Sequence, residues 1–507
     1  MSGGIVGDGG IPAGLDRLAE EVRRDFDRLN HPPANWPLPV AGPDGRQALD
    51  VLVVGAGMCG QTAAFALARE GIRNVRVVDR ARRGEEGPWG TYARMETLRS
   101  PKHLTGPDLG VPSLTFRAWY EARHGRPGWD DLYKIGCLDW RDYLLWVRDR
   151  IGLAVENETA LTALALVPEA PLLLRAELDG PGERRETVFA RQVVLASGRD
   201  GSGSAYVPSF PSLDRTAPER PAGRVFHSSD AIDFVSLRGR RVAVLGASAS
   251  AFDNAGAALE AGAESVAMYA RRPFLPQVNK SRWMGFSGFQ RGFAALDDAT
   301  RWRFLTYTTR EQTPPPHESV LRCERHHNFR LHLGEGWRDV IPEADSGITV
   351  VTVKETLRFD AVIFGTGFTV DLTRRLELAP FRDSICLWRD RIAPEEAARY
   401  PDLALFPYLG PGFEFVEREP GSCPSLARIR AFNHGATMSH SALAGDIPGL
   451  GIGAVRVAQA IGHALFIDDL DRHHANMVAF EEPELQPTPY FVPPGERGRR
   501  RSAREEP

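Results

Sequence analysis

Two stretches, VLVVGAGMCG at 51–60 and VAVLGASASA at 242–251, each run a short apolar strand into a glycine turn and then into small residues. A strand that ends in such a turn and continues as a helix is most simply followed by a second strand parallel to the first. The chain therefore carries two β-α-β units, over about 50–80 and about 242–272, and an α/β class follows. In the first unit Gly55, Gly57 and Gly60 fit the GxGxxG spacing. The first glycine makes the turn, the second lets backbone approach a pyrophosphate, and the third lets the helix lie close to the strand. The helix N-terminus then faces the phosphates. Asp79 ends the next strand, VRVVD, with Arg80 beside it, and is placed to accept hydrogen bonds from ribose hydroxyls. Cys59, inside the turn, reads as a small packing residue.

The second unit is altered. Gly246 makes its turn, but Ser248 stands where the second glycine is wanted and Ala251 where the third is. Ser248 adds a Cβ, and a hydroxyl able to bond a phosphate oxygen. The next strand, SVAMYARRP, ends in Arg271 and Arg272 where the first unit has Asp79. An acid there repels a 2′-phosphate, whereas arginines pair with it. The first turn thus reads as an FAD site and the second as an NADPH site. Solvated surface arginines are the plainer alternative. Two dinucleotide sites on one chain imply electron transfer between two cofactors.

The 507 residues hold 62 Lys and Arg against 66 Asp and Glu, a formal net charge of −4. That balance argues against nucleic acid or an anionic membrane as main partner, and leaves a small-molecule substrate. Five cysteines are scattered, with no CxxC pair, which suits a reducing cytoplasm and speaks against a dithiol reductase. No basic start and apolar core mark a secretion signal in MSGGIVGDGG, and no run reads as a membrane helix.

Several stretches in order resemble the class B flavin-dependent monooxygenases, the group that includes flavin-containing and Baeyer–Villiger monooxygenases. VVGAGMCG is similar to that group's FAD turn, and GPWGTY, with Trp89, to the stretch beside the flavin. VLGASASA is similar to its GxGxS(G/A) turn, with Ser250 on the serine. FDAVIFGTGF resembles its second linker strand, and ALAGDIPGLGIGAVRVAQAI its return to the FAD domain, with Asp446 facing the flavin. Of the fingerprint Phe-x-Gly-x3-His-x3-aromatic the chain keeps Gly223 and His227 without either aromatic end.

The resemblance implies two nested Rossmann-like domains in a three-layer ββα, glutathione-reductase-like architecture. The expected division is an N-terminal extension (1–48), FAD domain (49–205), NADPH domain with insertion (206–345), FAD domain again (346–484) and a disordered tail (485–507). The extension is expected to pack on the first domain or on a partner subunit of a homo-oligomer. The resemblance also implies that NADPH reduces FAD, that the flavin traps O2 as a C4a-(hydro)peroxyflavin, and that one oxygen atom passes to a small organic substrate. N- or S-oxygenation is favoured over Baeyer–Villiger oxidation. Arg272 is the candidate cation beside the flavin, and His227 either positions the domain linker or is a satisfied structural histidine. Arg99 and Lys102 in TLRSPKHL line the active site or form surface ion pairs, and the aromatics of 281–293 form a substrate wall or core. A reductase passing electrons to a protein or quinone, and a non-catalytic nucleotide-binding protein, are the alternatives.

Overall fold

A computed structural model of the chain describes residues 13–104, 106–215, 221–344, 347–485, 488–493 and 495–497. The glycine-rich start and much of the expected tail lie outside the described residues.

The first sheet grows from β1 (Leu49–Val54) and β2 (Val75–Val78), which pair in parallel across the helix α2 (Met58–Arg69). A short ribbon, β3 (Thr97–Pro101) and β4 (Lys134–Gly136), stands apart from the sheet. A meander, β5 (Ala160–Leu166), β6 (Leu174–Asp179) and β7 (Arg185–Leu195), then returns to it. The second half of β7 pairs in parallel with β1, and on its other side with the strand Ile429–Ala431, which arrives from the far end of the chain. One sheet thus gathers residues from both ends of the sequence, as nested domains require.

The second sheet is wholly parallel, in the order 329–333, 265–270, 241–245, 361–364, 225–227. Its central strand VAVL is apolar throughout because both faces are covered. Val242 and Val244 pack with Phe252 and Ala255 of the helix Ala249–Glu260. Ala243 and Leu245 face Val340, Ile348 and Val350 of a three-stranded antiparallel sheet. Alternation along one strand therefore builds the ββα layers. The strand Ala361–Phe364, beyond the boundary expected at 345, pairs with Arg241–Leu245, so the second sheet extends to Phe364 and the chain leaves it only afterwards.

The N-terminal helix α1 (Ala13–Arg28) buries Leu15, Leu18 and Val22. It packs on the first domain: a Cβ on Gly14 would lie 2.0 Å from the Ala122 carbonyl oxygen. At the other end, Ile447–Asp468 is long and apolar enough to cross a membrane, contrary to the reading of the sequence. Its fully buried stripe Leu450, Ala454, Val457, Ala458, Ile461 and Leu465 repeats at helical spacing and belongs to the same core cluster as α2. The fully buried Arg191 of β7 meets Asp469 at 2.8 Å and Asp50 and Asp468 at 3.6 Å, pinning the end of this helix to the sheet.

The two turns solve one packing problem in opposite ways. Gly55 (φ 101°) and Gly246 (φ 112°) both hold left-handed backbone, and a Cβ on either would lie within 2.5 Å of a neighbouring strand's carbonyl, that of Ala196 or of Gly365. At the first turn the helix residue is Gly60, whose Cβ would lie 1.7 Å from the Gly55 carbonyl oxygen and 3.4 Å from the Cβ of Ala196 at the strand end. At the second the helix residue is Ala251 and the strand end is Gly365, whose Cβ would come 2.5 Å from that of Ala251. Each close approach spends one glycine. Gly365→Ala is therefore expected to destabilise the fold by about 1–3 kcal/mol. Adding Ala251→Gly should recover part of that loss. Strict additivity of the two changes in denaturant unfolding would show that the contact is not shared.

Candidate functional site

At the first turn the Gly55 N–H donates to the Val78 carbonyl at 2.8 Å. Asp79 follows at once, 8% exposed, and its carboxylate accepts from the Ala56 N–H at 2.7 Å and the Ala81 N–H at 2.8 Å. Burial pushes this carboxyl up against the pull of those two amides. Asp79 thus ties the turn to the neighbouring strand, with lone pairs to spare for a ribose. Arg80 is exposed and pairs with Asp200. Gly57 caps α2 without any side-chain acceptor, leaving the first amides of the helix free for an anion. A Cβ on Gly57 would meet nothing closer than Gly87 at 3.8 Å. Close by, the Trp89 indole N–H is buried with no acceptor among the described residues. An open glycine face, an uncapped helix and an orphan donor fit a bound dinucleotide. Cys59 is fully buried, and burial with the charge of Asp446 pushes its thiol up to about 12, so it packs and does not react.

The second turn repeats the geometry. Gly246 N–H donates to the Tyr269 carbonyl at 2.9 Å, and Leu245 pairs with Tyr269 as Val54 pairs with Val78. The counterpart of Asp79 is therefore Ala270, one residue earlier than the arginines to which the sequence points. No carboxylate stands there, and the Ala247 amide has no counterpart of the Asp79 tie. Arg271 follows, exposed, its stem against Gly336. Arg272 donates to the Arg310 carbonyl at 2.9 Å, at the end of the helix Asp298–Glu311. Ser248 caps its helix with φ −97° and ψ −175°, extended backbone close to that of Gly57 (φ −64°, ψ −173°). No glycine is needed at such angles. The Ser248 side chain makes no cap bond, and Ser250 begins the same helix, half-buried.

Between the turns lies the linker. His227 is fully buried; its Nε2 lies 2.9 Å from the Gly367 carbonyl and its Nδ1 3.1 Å from the Ser229 N–H. A carbonyl only accepts and an amide only donates, so the ring is neutral with the proton on Nε2. His227 thereby ties the end of the second sheet to the strand leaving it. Asp446 is exposed just before the C-terminal helix, and Gly445 donates its amide to Cys59, which sets Asp446 against the first turn. Lys102 is spent on the Trp129 and Asp130 carbonyls, at 2.6 and 3.2 Å. Arg99 has no hydrogen-bond or ion-pair partner among the described residues. Of the 281–293 aromatics, Phe289 and Phe293 are core, while Trp283 and Phe286 are exposed. One contact across the domains gave no sequence signal: Arg322 of the helix His317–Glu324 pairs with Glu260 and donates to the Arg94 carbonyl at 2.7 Å.

Comparison with known proteins agrees with this geometry. The family model described as pyridine nucleotide-disulphide oxidoreductase matches residues 49–283, although all five cysteines here are buried and unpaired. A FAD-dependent urate hydroxylase of Xanthomonas campestris pv. campestris is 40% identical over 90% of this chain and 94% of its own length. A Baeyer-Villiger monooxygenase of Streptomyces coelicolor is 30% identical over 50% of this chain and 43% of its own. Among solved structures, an ornithine N-hydroxylase of Kutzneria sp. 744 superposes with a TM-score of 0.64 at 15% identity, over 82% of this chain and 99% of its own.

Asp79→Asn puts an amide NH2 against one of two backbone donors. We expect purified Asp79→Asn to carry less flavin per protein than wild type, and to lose about 1–3 kcal/mol of stability. Equal absorbance ratios for the two proteins would show that Asp79 does not hold the nucleotide.

Proposed function

The chain belongs to the class B flavin-dependent monooxygenase family, and from that premise we propose that it is an NADPH-dependent, FAD-containing monooxygenase that hydroxylates a small, electron-rich nitrogen heterocycle of the urate type. The observation that carries this reading is 40% identity to a FAD-dependent urate hydroxylase along nearly the whole of both chains. The overall change is balanced: substrate–H, NADPH, H+ and O2 give substrate–OH, NADP+ and water. The expectation of N- or S-oxygenation narrows accordingly to hydroxylation.

FAD, when bound, supplies the acceptor for the hydride and the activation of O2. The chain's own residues do the rest. Gly57 and the uncapped start of α2 receive the FAD pyrophosphate, and Asp79 takes the ribose while locking the turn to β2. Ser248, Ser250 and the start of the helix Ala249–Glu260 receive the NADPH pyrophosphate. Ala270 leaves the adenosine end without an acid, and Arg271 pairs with the 2′-phosphate. Arg272 shapes that end by holding the Arg310 carbonyl, so the cation beside the reacting centre is sought elsewhere. His227 positions the linker. Trp89 and the start of the C-terminal helix close the flavin side against water.

The direct test is oxygen uptake by the purified flavoprotein with NADPH and urate. We expect hydroxylated product in step with NADPH consumed. NADPH oxidation with stoichiometric peroxide and no oxygenated product sinks the reading, and electron transfer to a quinone or ferredoxin alone would favour a reductase. Arg271→Ala should raise the KM for NADPH about 10-fold or more and leave that for NADH nearly unchanged. Equal effects on both would free Arg271 of the 2′-phosphate.

A further inference from the structure

At the carboxyl edge of the first sheet the strands stand in the order β2, β1, β7 and Ile429–Ala431, all running the same way there. Ligands of such sheets lie just outside this edge. Asp79, beyond β2, marks the adenosine end of the FAD site, and the turn at Gly55, beyond β1, marks its middle. The reacting end then belongs on the other side, beyond β7 and Ile429–Ala431. That last strand stands two strand spacings, roughly 10 Å, from β1. The residues that leave it at this edge are Phe432, Asn433 and His434.

Their turn is fixed from several sides. The Asn433 side chain, 3% exposed, donates to the Leu195 carbonyl at the end of β7 at 3.0 Å and accepts from the Gly435 N–H at 2.9 Å. A Cβ on Gly435 would come 3.3 Å from that of Ser202, in the loop after β7. His434 itself is half-buried. Thr437 donates its single hydroxyl proton to the His434 carbonyl at 2.7 Å, and the same oxygen lies 3.3 Å from His434 Nδ1. With that proton spent, Nδ1 must donate in the second contact, which leaves Nε2 as a bare acceptor. Nε2 has no hydrogen-bond partner among the described residues, and it is not one of the side-chain atoms sealed away without one, so a ligand can reach it. Burial and the charge of Arg199 push the imidazole down to about 3, so the ring stays neutral and keeps this tautomer.

The Phe406 ring meets that of His434 at 5.8 Å, edge to face. Phe406 and Met438, the latter four residues on from His434, share an apolar cluster with Met284, Phe293 and Trp302. Those three come from the helices inserted between the strands 265–270 and 329–333 of the second sheet. His434 thus stands at the reacting end of the first sheet and beside its seam with the second domain, where a substrate pocket between domains belongs.

We infer that His434 is a specificity-determining residue for the reaction, its Nε2 accepting a ring N–H of the substrate. This rests on the function proposed above, since a urate-type heterocycle offers ring N–H groups on more than one side. An analogue lacking the N–H in question would set a lone pair or a methyl group against a bare nitrogen, and a polar site discriminates most steeply in that way. Thr437 is the positioning residue that holds the proton on Nδ1.

The test titrates urate and its mono-N-methyl derivatives calorimetrically into oxidised, FAD-loaded wild type, His434→Ala, His434→Gln, Thr437→Val and Thr437→Ser, without NADPH. Flavin content is measured alongside. We expect His434→Ala to weaken urate binding on the order of 10- to 100-fold. It should also erase the penalty that one methyl position carries in wild type and leave the penalties of the other positions as they were. His434→Gln, whose amide oxygen can accept, should recover part of the urate affinity. Thr437→Val should weaken urate and Thr437→Ser should not, with flavin content unchanged throughout. Unchanged penalties at every methyl position in His434→Ala, or a urate loss that tracks flavin loss, overturns the inference and leaves the proposed function standing; the second result would give the Nε2 contact to the flavin. If His434→Ala does not fold, Thr437→Val binding urate as tightly as wild type overturns it equally. A wild-type holoenzyme that binds no urate overturns both.

Discussion

Everything that makes this chain a two-nucleotide protein passes through one contact made twice: a left-handed glycine pressed against the terminal carbonyl of the adjacent parallel strand. A side chain at Gly55 or Gly246 would strike that carbonyl at about the length of a covalent contact plus one ångström. The contact closes the turn, brings the helix start to the end of the sheet, and aims its free amides outward. The helix must then lie close to the turn and the next strand: a Cβ on Gly60 would meet the Gly55 carbonyl at 1.7 Å, and one on Gly365 would meet that of Ala251 at 2.5 Å. The first turn gives the space with Gly60 and the second with Gly365, so a motif that looks degraded along the sequence is conserved in space within the molecule.

Strand register also moves the position that answers to Asp79. Counting residues places Arg271 and Arg272 at the position of Asp79, whereas hydrogen bonding places Ala270 there. The error is one residue, and one residue on a strand is a change of face. The outcome still favours a phosphorylated ribose, because an absent acid and a following arginine act in the same direction. Ser248 loses its oddity in the same way: its backbone is extended, so the glycine it replaces was never required by φ.

The strands, both turns and the ββα layering are legible in the sequence because each is a local pattern: apolar runs buried on both faces, punctuated by glycine. The C-terminal helix is read less fully in the same way. Its composition satisfies a membrane span, while the structure sets one fully buried stripe of it into the core of the first sheet. What the sequence hides is long-range. The ribbon of β3 and β4 has too few residues to signal a strand, Arg99 and Lys102 look alike in TLRSPKHL, and only the fold spends Lys102 on two carbonyls while leaving Arg99 without a partner. Lys134 with Glu318, and Arg322 with Arg94, join residues far apart in sequence by chemistry that many surface pairs share.

Those last contacts are one part of the domain junction. The apolar clusters of the two sheets are separate, but a further cluster packs Met284, Phe293, Trp302 and Leu305 against Val370, Trp388 and Phe406, so apolar packing joins the ion pairs and hydrogen bonds across the junction. Half-buried polar contacts of this kind are individually weak, so the apolar cluster carries more of the junction than they do. Within the domains, Asp79 and the glycine contacts fix each turn on its own sheet. Between them the neutral His227 tethers the linker at the Gly367 carbonyl.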